Sequence, residues 1–144
     1  MSRTSKLKLI GRREFVSIPQ LGIEKWEAKI DTGAYTSSLH CENINICDED
    51  GKQVLYFSIT SPNQAASDLR QFRFEEFTEK KIRNSFGEME QRFVIRTVVH
   101  IGRKKIRSSI SLSNRDLMRY PLLIGRRLIS GKFLVDVDRI HTGG

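Results

Sequence analysis

An apolar stretch that ends in a carboxylate and a glycine turn constrains this chain more than any other feature. Residues 28–34 read AKIDTGA, so a strand-like run delivers Asp31 directly to a turn at Gly33. A glycine there can take a positive φ or let another backbone approach closely. The hydroxyl of Thr32 can hydrogen-bond locally and keep the turn rigid. This pattern is typical of a carboxylate held at the floor of a cleft.

A second apolar run, late in the chain, has the same form. Residues 120–126 read YPLLIGR, so a strongly apolar segment ends in a glycine and then turns polar. We read the two segments as partners and predict that Leu123, Ile124 and Gly125 form the core behind the Asp31 turn.

Short strands separated by turns dominate the rest of the chain. Trp26, Ala28 and Ile30 alternate with charged residues, which predicts a half-buried strand. Turns are predicted at 48–51 and 101–103, short helices at 64–70 and 126–130, and a last strand at 132–137. Residues 61–91 are the least regular part. Because no βαβ pattern occurs, we predict an all-β, closed or sandwich-like fold. The 144 residues are one domain's worth (1–144), with a loose segment at 1–10.

The charge balance bears on the partner. Lys and Arg number 25 against 17 Asp and Glu, a net charge of +8 that favours acidic partners. The cations are spread in short clusters, which favours a solvated basic surface over dedicated nucleic-acid binding. No apolar run approaches the roughly 20 residues of a membrane helix. Residues 1–9 lack the apolar core of a secretory signal, so we expect a cytoplasmic protein.

Metal and nucleotide motifs are not found in the sequence. The two cysteines, Cys41 and Cys47, do not form a CxxC pair, and the histidines His40, His100 and His141 are scattered without an HExxH motif. No GxxxxGK[ST] loop is present. We therefore predict no metal and no cofactor.

The two glycine turns together resemble those of the retropepsins, the single-domain, homodimeric aspartic proteases. The wider match resembles a bacterial family of RimB-type proteins often labelled "ATP-dependent zinc protease". The matching blocks run from about residue 11 to 138 and read GRRE (11–14), LGI (21–23), KIDTGA (29–34), TSSLH (36–40), VIRT (94–97), NRDLM (114–118), LIGR (123–126) and GKFLVD (131–136). Asp-Thr-Gly alone would be a weak signal, and these blocks in this order are a strong one.

The resemblance implies a retropepsin-like barrel in a homodimer, with one catalytic Asp31 from each copy. Two carboxyls that share a proton cannot both ionise easily, so one acts as acid and the other as base on a water molecule. Thr32, Gly33 and Ala34 would support the catalytic loop, with the Thr32 hydroxyl bonding across the dimer. The implied substrates are acidic or glutamate-rich peptides, including glutamate tails on a ribosomal protein.

The resemblance also suggests which residues meet the substrate. Residues 83–92 would form a flap with Phe86 and Gly87 at its tip; the alternative for Gly87 is an ordinary turn. Tyr35 stands where RimB-type proteins usually carry Arg, so substrate preference could differ. Because Tyr35 is not an acid, the ion pair that retroviral enzymes make at this point cannot be assigned to Arg126. Cations that could line the cleft are Arg83, Arg92, Arg96, Arg126 and Lys132. Each could equally be a surface cation, and Arg96 is preferred because it lies in the VIRT block.

Other interpretations remain open from the sequence. Asp31 could be a structural turn residue or a helix N-cap. The chain could be a non-catalytic basic module that binds acidic protein or RNA. A zinc-dependent peptidase is the least favoured reading, because it needs ligands that the sequence does not supply in a convincing set.

Overall fold

The computed structural model describes residues 7–60, 69–83, 86–114 and 120–143, and the side chains of Ile82 and Arg83 lie outside that description. These residues form strands, one short α-helix and a 3₁₀ turn at Pro19–Leu21 between β2 and β3, which confirms the all-β prediction. The elements in chain order are β1 Lys8–Gly11, β2 Arg13–Ile18, β3 Ile23–Ile30, β4 Ser37–His40, β5 Glu42–Glu49, β6 Lys52–Ile59, β7 Arg70–Phe74, β8 Thr78–Arg83, β9 Met89–Ile101, β10 Lys104–Ser113, β11 Leu122–Ile124, α1 Arg126–Ile129 and β12 Phe133–Asp136.

A closed barrel forms the centre of the molecule. One sheet has the strand order β10-β4-β11-β3-β2-β9-β8, and β9 also pairs with β10, so six of its strands close into a ring while β8 lies outside it. Closure removes the exposed hydrogen-bonding edges that an open sheet would leave. The barrel confirms the retropepsin-like closed β architecture implied by the resemblance.

Apolar side chains at alternate strand positions fill the barrel interior. In β3, Trp26, Ala28 and Ile30 are buried while Lys29 between them is exposed. A strand turns successive side chains to opposite faces, so this period places every second residue in the core. Other fully buried core residues include Ile18, Leu39, Ile95, Ile110, Leu112, Leu122 and Ile124.

Strand β11 pairs with two strands that lie far from it in the sequence. It lies between β3 and β4, parallel to β3 and antiparallel to β4. Its residues Leu122 and Ile124 are completely buried, whereas Leu123 is half-buried. Three residues from late in the chain therefore connect the strand before Asp31 to the strand after it, as the pairing of the two glycine segments predicts.

A second sheet, β5-β6-β7, packs against the barrel. Its first hairpin turns at Asp50 and Gly51, which have φ of 54° and 81°, and the side chain of Asp48 accepts a hydrogen bond from the N–H of Gly51. The turn prediction at 48–51 is confirmed. The turn at 101–103 is also confirmed, with Gly102 at φ 58° between β9 and β10.

The prediction of a short helix at 64–70 needs correction at Arg70, whereas the strand β8 agrees with the predicted hairpin at 83–92. Arg70 begins strand β7 rather than ending a helix, and residues 61–68 lie outside the described part of the chain. Phe72 and Phe74 lie on one face of β7, and their ring centroids are 5.8 and 5.5 Å from that of Phe57. Aromatic residues at every second position favour a strand, and β8 continues the regular structure.

The prediction of a loose segment at 1–10 is wrong for residues 8–10, which belong to strand β1. Strand β1 pairs in parallel with β12, with Lys8 opposite Phe133 and Ile10 opposite Val135. Ile10 is completely buried, and this apolar side chain anchors strand β1 to the core. The short helix and the last strand predicted at 126–130 and 132–137 are confirmed as α1 and β12.

A buried carboxylate fastens the residues that follow β12. Glu14 is 1% exposed and accepts hydrogen bonds from the backbone N–H groups of Gly11, Thr142 and Gly143 at 2.7, 2.8 and 3.0 Å. A buried carboxylate needs such donors to replace water.

Across the described ranges, no helix has the length and apolar character needed to cross a membrane.

Candidate active site

The Asp31 turn begins where β3 ends. The backbone N–H of Asp31 donates to the carbonyl of Ile124 in β11 at 2.8 Å. Within the turn, the N–H of Gly33 donates to Oδ1 of Asp31 at 3.0 Å, and the N–H of Ala34 donates to its carbonyl at 3.2 Å. A Cβ atom at Gly33 would lie 3.3 Å from Oδ1. The glycine therefore leaves room for the bond that orients the carboxylate.

The start of helix α1 holds the other side of the turn. The N–H groups of Arg126 and Arg127 donate to the carbonyls of Ala34 and Tyr35 at 2.7 and 3.0 Å. A Cβ atom at Gly125 would lie 2.8 Å from the carbonyl carbon of Thr36, a distance that side chains do not tolerate. Gly125 is thus required for the close approach of two backbones, and the predicted core role of this segment has a steric basis.

The side chain of Arg126 also supports the turn. Its guanidinium donates to the carbonyl of Thr32 at 2.9 Å and lies 5.8 Å from the ring centroid of Tyr35. A cation over an aromatic face is attracted by the ring electrons. Tyr35 therefore partners Arg126 at the position where retroviral enzymes are expected to carry an acid.

Asp31 opens into a cleft of about 340 Å³. The residues that line it are Asp31, Ala34, Tyr35, Thr36, Ser38, Lys80, Arg92, Val94, Ser111 and Leu123. Four of them form a row across the sheet, because Leu123 pairs with Ser38, Ser38 with Ser111, and Ser111 with Val94. The cleft thus combines one partly exposed carboxylate with serine hydroxyls and apolar side chains.

Two cations enter the cleft from the β8–β9 hairpin. Lys80 and Arg92 lie directly opposite each other in the antiparallel pairing, where like charges destabilise. Glu90 offsets part of this repulsion, since its carboxylate lies 3.1 Å from a guanidinium nitrogen of Arg92. In the described part of the chain, the buried Nε of Arg92 and the buried Oγ of Ser111 have no protein hydrogen-bond partner. Buried polar atoms are normally paired, so these two point to a ligand or to water.

The chain matches one protein family over most of its length. The model of the RimB-like family, described as "Retropepsin-like aspartic endopeptidase RimB", matches residues 9–142. The chain belongs to the RimB-like family.

Curated relatives of this RimB-like chain carry another name. A "Probable alpha-L-glutamate ligase" of Desulfotalea psychrophila is 34% identical over 136 residues, which is 94% of this chain and 29% of the relative. A protein of the same name from Shewanella halifaxensis is 33% identical over 128 residues, 89% of this chain and 28% of the relative. The chain therefore spans less than a third of the length of these relatives.

A solved structure shares the RimB-like fold. The crystal structure of Lpg0085, a protein of unknown function from Legionella pneumophila, superposes with a TM-score of 0.75 at 26% identity. The alignment covers 95% of this chain and 98% of that one, so the whole architecture is shared.

The predicted site residues of this RimB-like chain fall into four groups. Asp31, Ala34, Tyr35 and Leu123 line the cleft, and Arg92 joins them. Thr32 and Gly33 are exposed at its edge, and Ile124 and Gly125 are buried behind it. The last group also lies outside the cleft lining in the described structure and consists of Phe86, Gly87, Arg96, Arg126 and Lys132.

The β8–β9 hairpin lies where the flap is predicted. Its strands end at Arg83 and begin again at Met89, and Gly87 has φ 80° in the connection. Phe86 is 88% exposed at this tip. Residues 84–85 and the side chain of Arg83 lie outside the described structure, so the role of Arg83 and the flap itself stay predictions.

Sequence reasoning missed Lys80, Ser38 and Ser111. Lys80 could have been found by counting back from the predicted tip, because Lys80 and Arg92 are equally distant from Phe86 in the chain. A tight hairpin centred there places them opposite each other. The two serines carry no comparable signal, since their position depends on the non-local pairing of β4 with β10.

The described residues contain no group of three or more His, Cys, Asp or Glu side chains that could hold a metal ion. Burial raises the pKa of the Cys41 thiol far above its ordinary value, whereas Cys47 is exposed. Cys41 is accordingly a core residue.

Proposed function

We propose that this RimB-like chain is an aspartic peptidase in which two copies bring two Asp31 carboxyls together. The observation that carries the proposal is the Asp31 carboxylate itself, oriented by Gly33 and open to a cleft of about 340 Å³. Among the residues shown to line that cleft, Asp31 is the only acid. An acid–base pair of carboxyls therefore requires a second chain.

A two-fold contact would place the same turn of both copies at the interface. Thr32 and Gly33 are exposed, and Tyr35 is 59% exposed beside them. In an isologous dimer each surface meets its own copy, so the two carboxylates can lie next to each other at the axis. The Thr32 hydroxyl takes no part in the hydrogen bonds described above for the turn. We propose that it forms a hydrogen bond to the partner copy across this axis.

The chemistry follows from the repulsion between two close carboxylates. One proton shared by the pair leaves one carboxyl as acid and the other as base. The base takes a proton from a water molecule, whose oxygen attacks the peptide carbonyl carbon. The acid protonates the carbonyl oxygen, and a proton then passes to the leaving nitrogen as the C–N bond breaks. Gly33 keeps Asp31 oriented during these steps.

Acidic peptides are the proposed substrates. Lys80 and Arg92 face the cleft beside Asp31, and Arg92 has a buried Nε with no protein partner within the described chain. A carboxylate of the substrate would pair with these cations and relieve their repulsion. The name of the curated relatives, alpha-L-glutamate ligase, concerns glutamate chemistry and supports a glutamate-rich substrate. The net charge of +8 would favour encounter with such a chain.

The deciding experiment compares wild type with Asp31→Asn on glutamate-rich and neutral peptides, with products identified by mass spectrometry. We expect cleavage by wild type alone, and faster cleavage of the glutamate-rich peptide. Asp50→Asn is the matched control, because Asp50 lies in the exposed β5–β6 turn and Asn tolerates its φ of 54°. Sedimentation of both proteins tests the dimer.

Other outcomes would favour the other interpretations. Equal cleavage by wild type and Asp31→Asn would exclude the dyad, and loss of that activity with a chelator would indicate a metallopeptidase. Binding of the acidic peptide by both proteins, without cleavage by either, would support a basic binding module.

A further inference from the structure

A second cleft adjoins the Asp31 cleft. It has a volume of about 510 Å³ and shares Val94 with the first. Its lining residues are Gln20, Lys52, Arg73, Phe74, Glu75, Glu76, Phe77, Thr78, Val94, Arg96 and Arg107. Arg96, predicted from the VIRT block to meet substrate, lies in this second cleft.

The two clefts follow each other along one face of the same strands. In β9 the lining residues are Arg92, Val94 and Arg96, at every second position, and side chains at that spacing point to the same face. Strands β8 and β10 continue the order, with Lys80 and Ser111 in the first cleft and Thr78 and Arg107 in the second. At about 3.3 Å per residue, Arg96 lies roughly 13 Å beyond Arg92, the length of about four residues of an extended peptide.

Two cations of the second cleft lack an acidic partner. Arg96 and Arg107 are both exposed, and no carboxylate in the described structure lies within ion-pair distance of either. They are diagonal neighbours, because Arg96 pairs with Ser109 and Arg107 lies two positions further along β10. Diagonal side chains of this length can reach each other, so the two charges repel.

The other charges of this cleft are mostly engaged with one another. Lys52 lies 3.1 Å from Glu75, and Arg73 lies 3.0 Å from Glu49 and 3.7 Å from Glu75. Glu76 also lines the cleft. Four cations against two carboxylates leave the lining positive, with Arg96 and Arg107 as the cations available to a ligand.

We infer that the second cleft binds the continuation of an acidic peptide whose scissile bond lies at Asp31. Lys80 and Arg92 would meet carboxylates near that bond, and Arg96 and Arg107 would meet carboxylates about four to six residues away along the extended chain. The protein then distinguishes a long acidic run from a short one. This inference rests on the proposed function for the location of the scissile bond, but the binding that it describes can be measured without cleavage.

The test measures binding in the Asp31→Asn background, where a peptide stays intact. Fluorescently labelled oligoglutamate peptides of 4 and 12 residues are titrated against this protein and against the same protein carrying Arg96→Gln and Arg107→Gln. We expect the dissociation constant of the 12-residue peptide to rise about tenfold in the variant, while that of the 4-residue peptide changes less than twofold. The salt dependence of the 12-residue peptide should also weaken.

The matched control carries Lys25→Gln and Arg103→Gln, two exposed cations outside both clefts. It removes the same charge and should bind both peptides as the parent does. Equal loss for the control and the test variant, equal loss for both peptide lengths, or no binding of the 12-residue peptide would overturn the inference. So would tighter binding of a 12-nucleotide single-stranded DNA that depends on Arg96 and Arg107.

The outcome for the proposed function is separate. Wild type that fails to cleave either peptide would contradict the peptidase, and the length-dependent loss of binding would still establish the second cleft. Cleavage by wild type together with unchanged binding in the Arg96→Gln/Arg107→Gln variant would support the proposed peptidase activity and contradict peptide binding in the second cleft.

Discussion

Arg126 donates a hydrogen bond from its guanidinium to the backbone carbonyl of Thr32 at 2.9 Å, while the same guanidinium lies 5.8 Å from the ring centroid of Tyr35. The cation therefore holds the Asp31 turn through a carbonyl and an aromatic face. An acid two residues after Gly33 is not needed for this support, because the phenol ring occupies its place.

Replacing Arg126 by Ala should slow catalysis without weakening substrate binding. Arg126 does not line the Asp31 cleft in the described structure, so we expect kcat to fall about tenfold while KM changes less than twofold. The loss of an exposed charged hydrogen bond should lower the free energy of unfolding by about 1 kcal/mol. Steady-state kinetics and urea unfolding measure the two effects.

Arg127→Ala is the control for this position. Arg127 is exposed, and its hydrogen bond to the turn is donated by its backbone N–H, which alanine keeps. A rise in KM for Arg126→Ala that equals the fall in kcat would contradict the positioning role.

Lys80→Gln and Arg92→Gln should raise KM for glutamate-rich peptides about fivefold each and leave neutral peptides within twofold. Both cations line the Asp31 cleft, whereas the neighbouring Lys81 is exposed and does not line it. Lys81→Gln is therefore the matched control, with the same loss of charge on the same strand. Equal effects of Lys80→Gln and Lys81→Gln would mean that net charge, and not the cleft, selects acidic peptides.

Gly125→Ala should destabilise the protein strongly despite an ordinary backbone. The φ of Gly125 is −94°, which any residue adopts, but a Cβ atom would lie 2.8 Å from backbone carbon of Thr36. We expect the free energy of unfolding to fall by about 2 to 3 kcal/mol, because two backbones must separate.

Gly51→Ala is the comparison variant for Gly125→Ala, because it separates backbone strain from steric overlap. Gly51 has φ 81° but nothing within 4 Å of its Cβ position, so its cost should be limited to backbone strain of about 1 kcal/mol. A larger loss at Gly51 than at Gly125 in urea unfolding would refute the steric argument.

The two cysteines should differ in reactivity and in their effect on stability. Burial raises the pKa of the Cys41 thiol, and Cys47 is exposed. A thiol reagent at pH 8 should therefore label Cys47 in the folded protein and both residues after unfolding.

The raised pKa of Cys41 also fixes the sign of a pH effect. Its stabilising contribution is complete below the pKa of the unfolded thiol, about 8.5, and is lost as the pH rises above it, because only the unfolded chain then releases the proton. Urea unfolding between pH 7 and 10 should show a steeper decline for Cys47→Ala than for Cys41→Ala. Identical slopes would contradict the burial of Cys41.

Local patterns were sufficient for much of this fold. The alternation in β3 predicts which side chains face the core, and the turn at 48–51 has residues that tolerate positive φ. Asp31 and Gly125 stand out because apolar runs end at each of them. Family resemblance then adds the barrel closure, which no local pattern contains.

Non-local pairing explains what was not predicted. Strand β1 was not predicted because it is stabilised by pairing with β12, at the other end of the chain. Strand β7 was not predicted because its phenylalanines pack on Phe57, which belongs to another strand. Arg96 was assigned to the Asp31 cleft by its motif, but its position along β9 places it roughly 13 Å beyond Arg92. The position of a residue along its strand, and not its membership of a family motif, decides which cleft its side chain enters.

The insertion of β11 between β3 and β4 has a consequence for synthesis of the protein. The backbone partner of Asp31 is Ile124, which a ribosome adds 93 residues later. Until residues 122–124 have left the exit tunnel, β3 and β4 lack the strand that joins them, and the carboxylate has no fixed floor behind it. A nascent chain therefore carries Asp31 long before the residue can act, and the proposed hydrolytic activity begins only when nearly the whole barrel has been made.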